Sequence, residues 1–113
     1  MTKWVKAALT KDVSDDSIQQ LNINGCKVAL YRCGEEYFAT SDVCTHAYAL
    51  LSDGWLDGYE IECPLHGARF DVRTGAALTS PAETALATYP VRVVGDAVEI
   101  DVTSAPSNPD AST

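Results

Sequence analysis

Residues 44–71 read CTHAYALLSDGWLDGYEIECPLHGARFD. One histidine stands two places behind Cys44 and a second stands three places behind Cys63. The chain holds 2 histidines in all, so both of its imidazoles sit beside thiols. The order is C-x-H, then sixteen residues, then C-x-x-H, and each half offers one thiolate and one imidazole. That pairing, repeated, points to metal ligation by Cys44, His46, Cys63 and His66 and not to two core histidines. Zinc takes the same ligand types, but its small structural sites group paired cysteines ahead of paired histidines, whereas here the types interleave. A two-iron, two-sulfide cluster that takes thiolates on one iron and imidazoles on the other is suited to two loops that each supply one of each. A zinc-stabilised interaction module stands as the alternative from another class.

The composition around this stretch narrows the partners. A chain of 113 residues that is 46% hydrophobic fits one domain with a modest core. Sixteen acidic against eight basic side chains leave a net charge of −8, which repels phosphate backbones and anionic membranes, so neither nucleic acid nor membrane is an expected partner. The same charge serves solubility, or it steers docking onto basic partner surfaces. Met1 to Lys11 contains no uninterrupted apolar run of the signal-peptide kind, and no later run approaches the roughly 18 to 20 apolar residues of a spanning helix. The expectation is a cytoplasmic protein, where the 4 cysteines stay reduced and favour metal over disulfides.

Short strand-like runs recur at Ser17 to Ile23, Lys27 to Cys33, Tyr37 to Asp42, Glu60 to Glu62, Arg69 to Arg73, Ala87 to Val94 and Ala97 to Val102, which predicts an all-β fold. Asn24-Gly25, Gly34 with Glu35 and Glu36, and Gly95-Asp96 read as tight turns between antiparallel neighbours. The best helical stretch, Thr10 to Ser17, is short and polar enough to give a turn of helix at most. Between Val43 and about Phe70 the strand rhythm gives way to crowded Asp-Gly turns, which suggests a small insertion of about 43–70. The domain is expected to span 1–103. The closing SAPSNPDAST, residues 104–113, lacks an apolar anchor and is expected to be a disordered tail.

With these residues in place, the segment resembles the cluster-binding motif of Rieske proteins. The hairpins before Cys44, the RFDVRTGAAL stretch and the YPVRV and VEIDV strands resemble the small Rieske ferredoxins of bacterial aromatic-ring dioxygenase systems, over about residues 4–102. The resemblance implies an antiparallel β-sandwich with a small cluster-binding subdomain and one [2Fe-2S] cluster. Cys44 and Cys63 would hold one iron, His46 and His66 the other. Two ferric ions, two sulfides and two thiolates sum to zero charge where four thiolates would leave −2, so imidazole ligation makes an electron easier to add. The imidazoles would face solvent at the tip of the domain, where partners dock.

Neighbouring residues read in the same terms. Pro64 stiffens the second loop, Gly67 allows close backbone approach to the cluster, and Thr79, Ser80, Pro81 and Ala82 resemble the proline loop that covers it. Membrane-anchored respiratory Rieske proteins carry an extra cysteine in each loop and Ser and Tyr hydroxyls that donate to the sulfides. Here those places hold Ala49, Leu65, Ala68 and Phe70, so no loop disulfide forms and the reduction potential is expected near about −150 mV. Cys26 and Cys33 are seven apart, which points them to opposite faces of a strand as small buried residues. Trp4, Trp55, Tyr31, Tyr48 and Tyr59 read as core or as cluster shielding.

An oxygenase would need a further iron held by a two-histidine, one-carboxylate triad, and no histidine remains for one. No G-x-G-x-x-G occurs to take hydride from a nicotinamide. The resemblance therefore implies a monomeric one-electron carrier, not an enzyme. It would receive electrons from an NAD(P)H-dependent flavoprotein reductase and deliver them to a terminal Rieske non-haem iron dioxygenase. A small Rieske subunit of another redox enzyme, such as a nitrite reductase, is the alternative.

Overall fold

The computed structural model describes residues 4–43, 49–64, 67–79 and 85–102. Within them run ten strands: β1 (Val5–Leu9), β2 (Ser17–Ile23), β3 (Cys26–Cys33), β4 (Glu36–Ser41), β5 (Trp55–Asp57), β6 (Glu60–Glu62), β7 (Arg69–Asp71), β8 (Thr88–Tyr89), β9 (Val91–Val94) and β10 (Ala97–Ile100). They form three antiparallel sheets, ordered β1-β10-β9, β2-β3-β4-β8 and β5-β6-β7. The all-β class expected from the strand pattern is observed, as is the antiparallel architecture with a small subdomain that the resemblance implies.

The sheets are layered about β3. Its run CKVALYRC has no polar alternation through Val28, Ala29, Leu30 and Tyr31, and all four are fully buried. A strand reads as a continuous apolar run when both of its faces are covered. Val28 and Leu30 pack with Val13, Val98 and Ile100 on the side of the β1-β10-β9 sheet. Ala29, Tyr31 and Cys33 pack with Leu51, Ile61, Cys63 and Phe70 of the inserted subdomain. The Tyr31 hydroxyl, buried with them, is satisfied by Thr40 Oγ1 at 2.9 Å, and burial raises its pKa. Cys26 and Cys33 fall on opposite sides, as their spacing requires. Cys33 is buried in the subdomain core and Cys26 is half-buried against the other.

The β2–β3 hairpin turns on Asn24 and Gly25, whose φ angles of 52° and 87° are those of the twisted turn that Asn-Gly favours. The Gly25 amide also donates to Asn22 Oδ1 at 3.0 Å. Where the sequence suggested one strand over Ala87 to Val94, the chain makes two. Thr88 and Tyr89 extend β4, Val91 to Val94 pair with β10, and Pro90 lies between them. Proline cannot donate to a ladder. Its carbonyl instead accepts from the Asp101 amide at 3.1 Å, and the chain passes from one sheet to the other there. Two strands were invisible to alternation. β1 pairs β10 with an irregularity between Lys6 and Ala8, and β5 has only three residues.

The helical candidate shrinks to a 3-10 turn at Thr10–Asp12, and a second such turn covers Leu51–Asp53. Among the described residues no helix is long and apolar enough to cross a membrane. The proposed tail, 104–113, lies outside the described residues.

Gly75 closes the fold behind the subdomain. Its amide donates to the Asp71 carbonyl at 2.7 Å and its carbonyl accepts from Leu86 at 2.8 Å. It adopts φ +80°, and a Cβ there would stand 2.3 Å from the Leu86 carbonyl oxygen. Gly75→Ala is therefore expected to cost about 3 kcal/mol in thermal unfolding. Gly25→Ala, at φ +87° but with open space around it, should cost only about 1 kcal/mol.

Candidate metal centre

Of the four candidate ligands, Cys63 lies within the described residues, while Cys44, His46 and His66 lie outside them. Cys63 follows β6 directly and is fully buried. Its amide donates to the Ala68 carbonyl at 2.8 Å, which pins together the two ends of the short connection that contains His66. Gly67 sits at φ +71° with only Glu62 Oε2, at 3.8 Å, near where a Cβ would be. Among its described neighbours, glycine is needed for the left-handed backbone and not for space. Pro64 is exposed.

The chain around the first ligand pair is gripped the same way. Val43 and Leu50 form an isolated antiparallel bridge across residues 44–49. Behind that bridge Asp42 is fully buried, and its backbone and side chain are both committed. Its carbonyl accepts from Leu51 at 2.7 Å. One carboxylate oxygen accepts from the Ser52 amide at 2.7 Å, and the other accepts from Ser52 Oγ at 2.8 Å and Gln20 Nε2 at 3.2 Å. A buried carboxylate with this many donors is a rigid peg, because every rearrangement would leave a charge uncompensated. No motif exposes Asp42 in the sequence, since its partners lie ten and twenty-two positions away among sixteen acidic residues.

The third approach is anchored too. Thr79 Oγ1 accepts from the Arg69 amide at 2.9 Å, and Leu86 is buried in the same apolar cluster as Cys63. Ser80, Pro81 and Ala82 lie outside the described residues. All three approaches therefore root in one core, made of Ala49, Leu51, Cys63, Ala68, Phe70 and Leu86 among others.

That core is clamped to the main sandwich through the β5–β6 turn. The Cys33 thiol donates to the Gly58 carbonyl at 3.2 Å. Burial, reinforced by the charges of Asp16 and Glu36, pushes that thiol up to about 11. The Tyr59 hydroxyl donates to Glu36, which also raises its pKa. Its ring meets Phe38 edge-on, with centroids 5.9 Å apart, and carries the Arg73 guanidinium 4.3 Å above it. Tyr31 and Tyr59 thus serve the core and its seam. Trp55 departs from the expected shielding role. It is 60% exposed, because β5 is an edge strand and turns Leu56, not Trp55, toward the core. Tyr48 lies outside the described residues.

Among the described residues no group of three or more metal-binding side chains assembles. The donor chemistry nevertheless suits a [2Fe-2S] cluster. A buried thiol stands at the foot of one C-x-x-H arm, the C-x-H arm leaves from a bridge packed on the same apolar core, and the described residues clustered with Cys63 carry no charge. Ala68 and Phe70, both fully buried beside it, offer no hydroxyl to a sulfide.

A model of the Rieske [2Fe-2S] domain matches residues 3–90. The chain is 43% identical over 100 residues to the ferredoxin component of the naphthalene 1,2-dioxygenase system of Pseudomonas aeruginosa, covering 88% of this chain and 96% of that one. It is likewise 43% identical over 108 residues to the p-cumate 2,3-dioxygenase ferredoxin component of Pseudomonas putida, covering 94% and 92%. Among solved structures it is similar to the ferredoxin chain in a complex of reduced oxygenase and oxidised ferredoxin of carbazole 1,9a-dioxygenase, with TM-score 0.83, 39% identity and coverage of 87% and 92%.

Removing the buried peg tests the anchoring. Asp42→Ala strands the Ser52 amide and hydroxyl and is expected to cost about 3 kcal/mol in thermal unfolding. The visible absorbance per protein should fall along with it. Asp42→Asn, which keeps an acceptor for Ser52, should lose less of both.

Proposed function

This chain belongs to the Rieske [2Fe-2S] domain family, and on that premise we propose that it is a soluble cytoplasmic monomer that takes electrons from an NAD(P)H-dependent flavoprotein reductase and hands them to a terminal aromatic-ring dioxygenase. It is a ferredoxin component of the dioxygenase-system type, an electron carrier and not an enzyme. It carries a Rieske-type [2Fe-2S] cluster. We assign Cys44 and Cys63 to one iron and His46 and His66 to the other. When bound, the cluster supplies a one-electron couple.

The observation that carries this reading is coverage. The chain matches ferredoxin components of dioxygenase systems over 92–96% of their length, so what it shares with them is nearly the whole of each carrier. The rest follows from its own residues. The buried core under Cys63 keeps water from the thiolate side. The hydrogen bond at Cys63–Ala68 and the bridge at Val43–Leu50 each tie together the two ends of one arm, which limits reorganisation when charge changes. Excess acidic charge gives partners a long-range pull without a lasting grip. Coverage also disfavours the nitrite-reductase-like subunit, since the matched relatives are carriers.

Reconstitution tests this directly. The purified protein should contain two irons and acid-labile sulfide per chain, and His46→Ala or His66→Ala should abolish the native visible spectrum. With NADH and the reductase and oxygenase components of the naphthalene and p-cumate dioxygenase systems as probes, it should support product formation, more slowly as ionic strength rises. A protein without iron and sulfide, or one that passes no electron to either oxygenase, defeats the proposal. Because Ala68 and Phe70 supply no hydroxyl, voltammetry should place the midpoint near about −150 mV, and a value well above zero would contradict the assignment.

A further inference from the structure

The three-stranded sheet of the subdomain has two faces of opposite character. Cross-strand partners share a face. Leu56, Ile61, Phe70 and Ala77 align across the strands and pack inward on the core that holds Cys63. One position along, Trp55 opposes Glu62 and Glu62 opposes Arg69, and Leu78 lies beside Arg69, to whose carbonyl its amide donates at 2.8 Å. This outer row spans about 14 Å, three strand spacings. Trp55 is 60% exposed and Leu78 is 45% exposed at its two ends.

The middle of the row is charged and ordered. Arg69 reaches Glu62 at 2.9 Å, Glu60 at 3.3 Å and Asp57 at 3.5 Å. Three carboxylates against one guanidinium leave this cluster at −2, so it repels a second copy of this acidic chain and suits a basic surface. Two large exposed apolar side chains thus flank an ordered cluster of ion pairs on one sheet face, an arrangement of apolar anchors and charge that suits a mixed, partly polar contact. Tryptophan is also the residue type that most often anchors an interface. The patch is too small to bind a protein alone. It adjoins the second ligand arm, however, since Glu62 precedes Cys63, and its other end leads into the third approach, since Leu78 precedes the Thr79 that holds the Arg69 amide.

We propose that this outer row is a lateral anchor for the terminal oxygenase, with the Trp55 indole entering an apolar socket rimmed by Lys or Arg. It widens a footprint centred on the ligand arms. The proposal rests on the carrier reading above. The oxygenase is the occupant because the relative's complex pairs a reduced oxygenase with an oxidised ferredoxin. That relative is therefore held by its oxygenase as a complex, and a carrier of the same kind needs a surface beside its ligand arms for such a partner to rest on.

The test uses cluster-loaded, pre-reduced carrier mixed with whichever of the two probe oxygenases it serves faster. Trp55→Ala should raise the half-saturating carrier concentration for oxygenase reduction about tenfold. Leu78→Ser should raise it about threefold, and Trp55→Phe should recover most of the loss. The visible spectrum and the half-saturation with the reductase should stay within a factor of about two. Wild-type behaviour of both Trp55→Ala and Leu78→Ser overturns the anchor, as does a shift that falls on the reductase instead. Should Trp55→Ala lose its chromophore, Leu78→Ser and the charge reversal Glu60→Lys decide in its place: a raised half-saturation upholds the anchor and an unchanged one overturns it. A wild-type protein that reduces neither oxygenase defeats the carrier reading itself.

Discussion

One strand belongs to two cores. β3 sends Val28 and Leu30 into the sandwich proper and Ala29, Tyr31 and Cys33 into the subdomain, so the two units cannot part without exposing a strand that is apolar on both faces. Full burial of side chains this size is worth about 1.5–3 kcal/mol each, more than any single surface ion pair of the molecule can offer. The seam at Tyr59, Phe38, Glu36 and Arg73 is consequently a trim on a joint already made. It orients the β5–β6 turn more than it holds it.

The joint matters because the residues at the feet of both ligand arms are anchored in it. Each leaves the core at a pinched pair of residues, Val43 with Leu50 and Cys63 with Ala68. Asp42 makes the first pinch rigid by committing a buried carboxylate to Ser52 and Gln20. The second is made rigid by the β6–β7 ladder below it. A carrier benefits from such stiffness, since an electron transfers faster when the surroundings of the acceptor move little as charge arrives. Burial of Cys63 and the apolar Ala68 and Phe70 then set the polarity around one side of the site.

The same sheet that packs the site inward presents a charged face outward. Period-two geometry allots Leu56, Ile61 and Phe70 to the core and Trp55, Glu62 and Arg69 to solvent. A short sheet thus does two jobs without a residue shared between them. The outer ion pairs around Arg69 contribute little to stability at their exposure. They keep a charged face ordered.

Local chemistry was readable along the chain. Interleaved thiols and imidazoles, Asn-Gly and Gly-Asp turns, and alternation within Ser17 to Ile23 or Ala97 to Ile100 each need only neighbours a few residues away. The proposed ligand set, the all-β class and the hairpins follow from such short-range rules. Position in space was not readable. Whether Ala87 to Val94 is one strand or two depends on which sheets pass either side of Pro90. Whether Trp55 is core or surface depends on which face of the β5-β6-β7 sheet meets the apolar core. Whether Asp42 is one acidic residue among sixteen or the peg under the first arm depends on Ser52 and Gln20 arriving from elsewhere. Burial and long-range pairing are properties of the assembled layers, and a linear pattern carries them only where both partners happen to lie close in the chain.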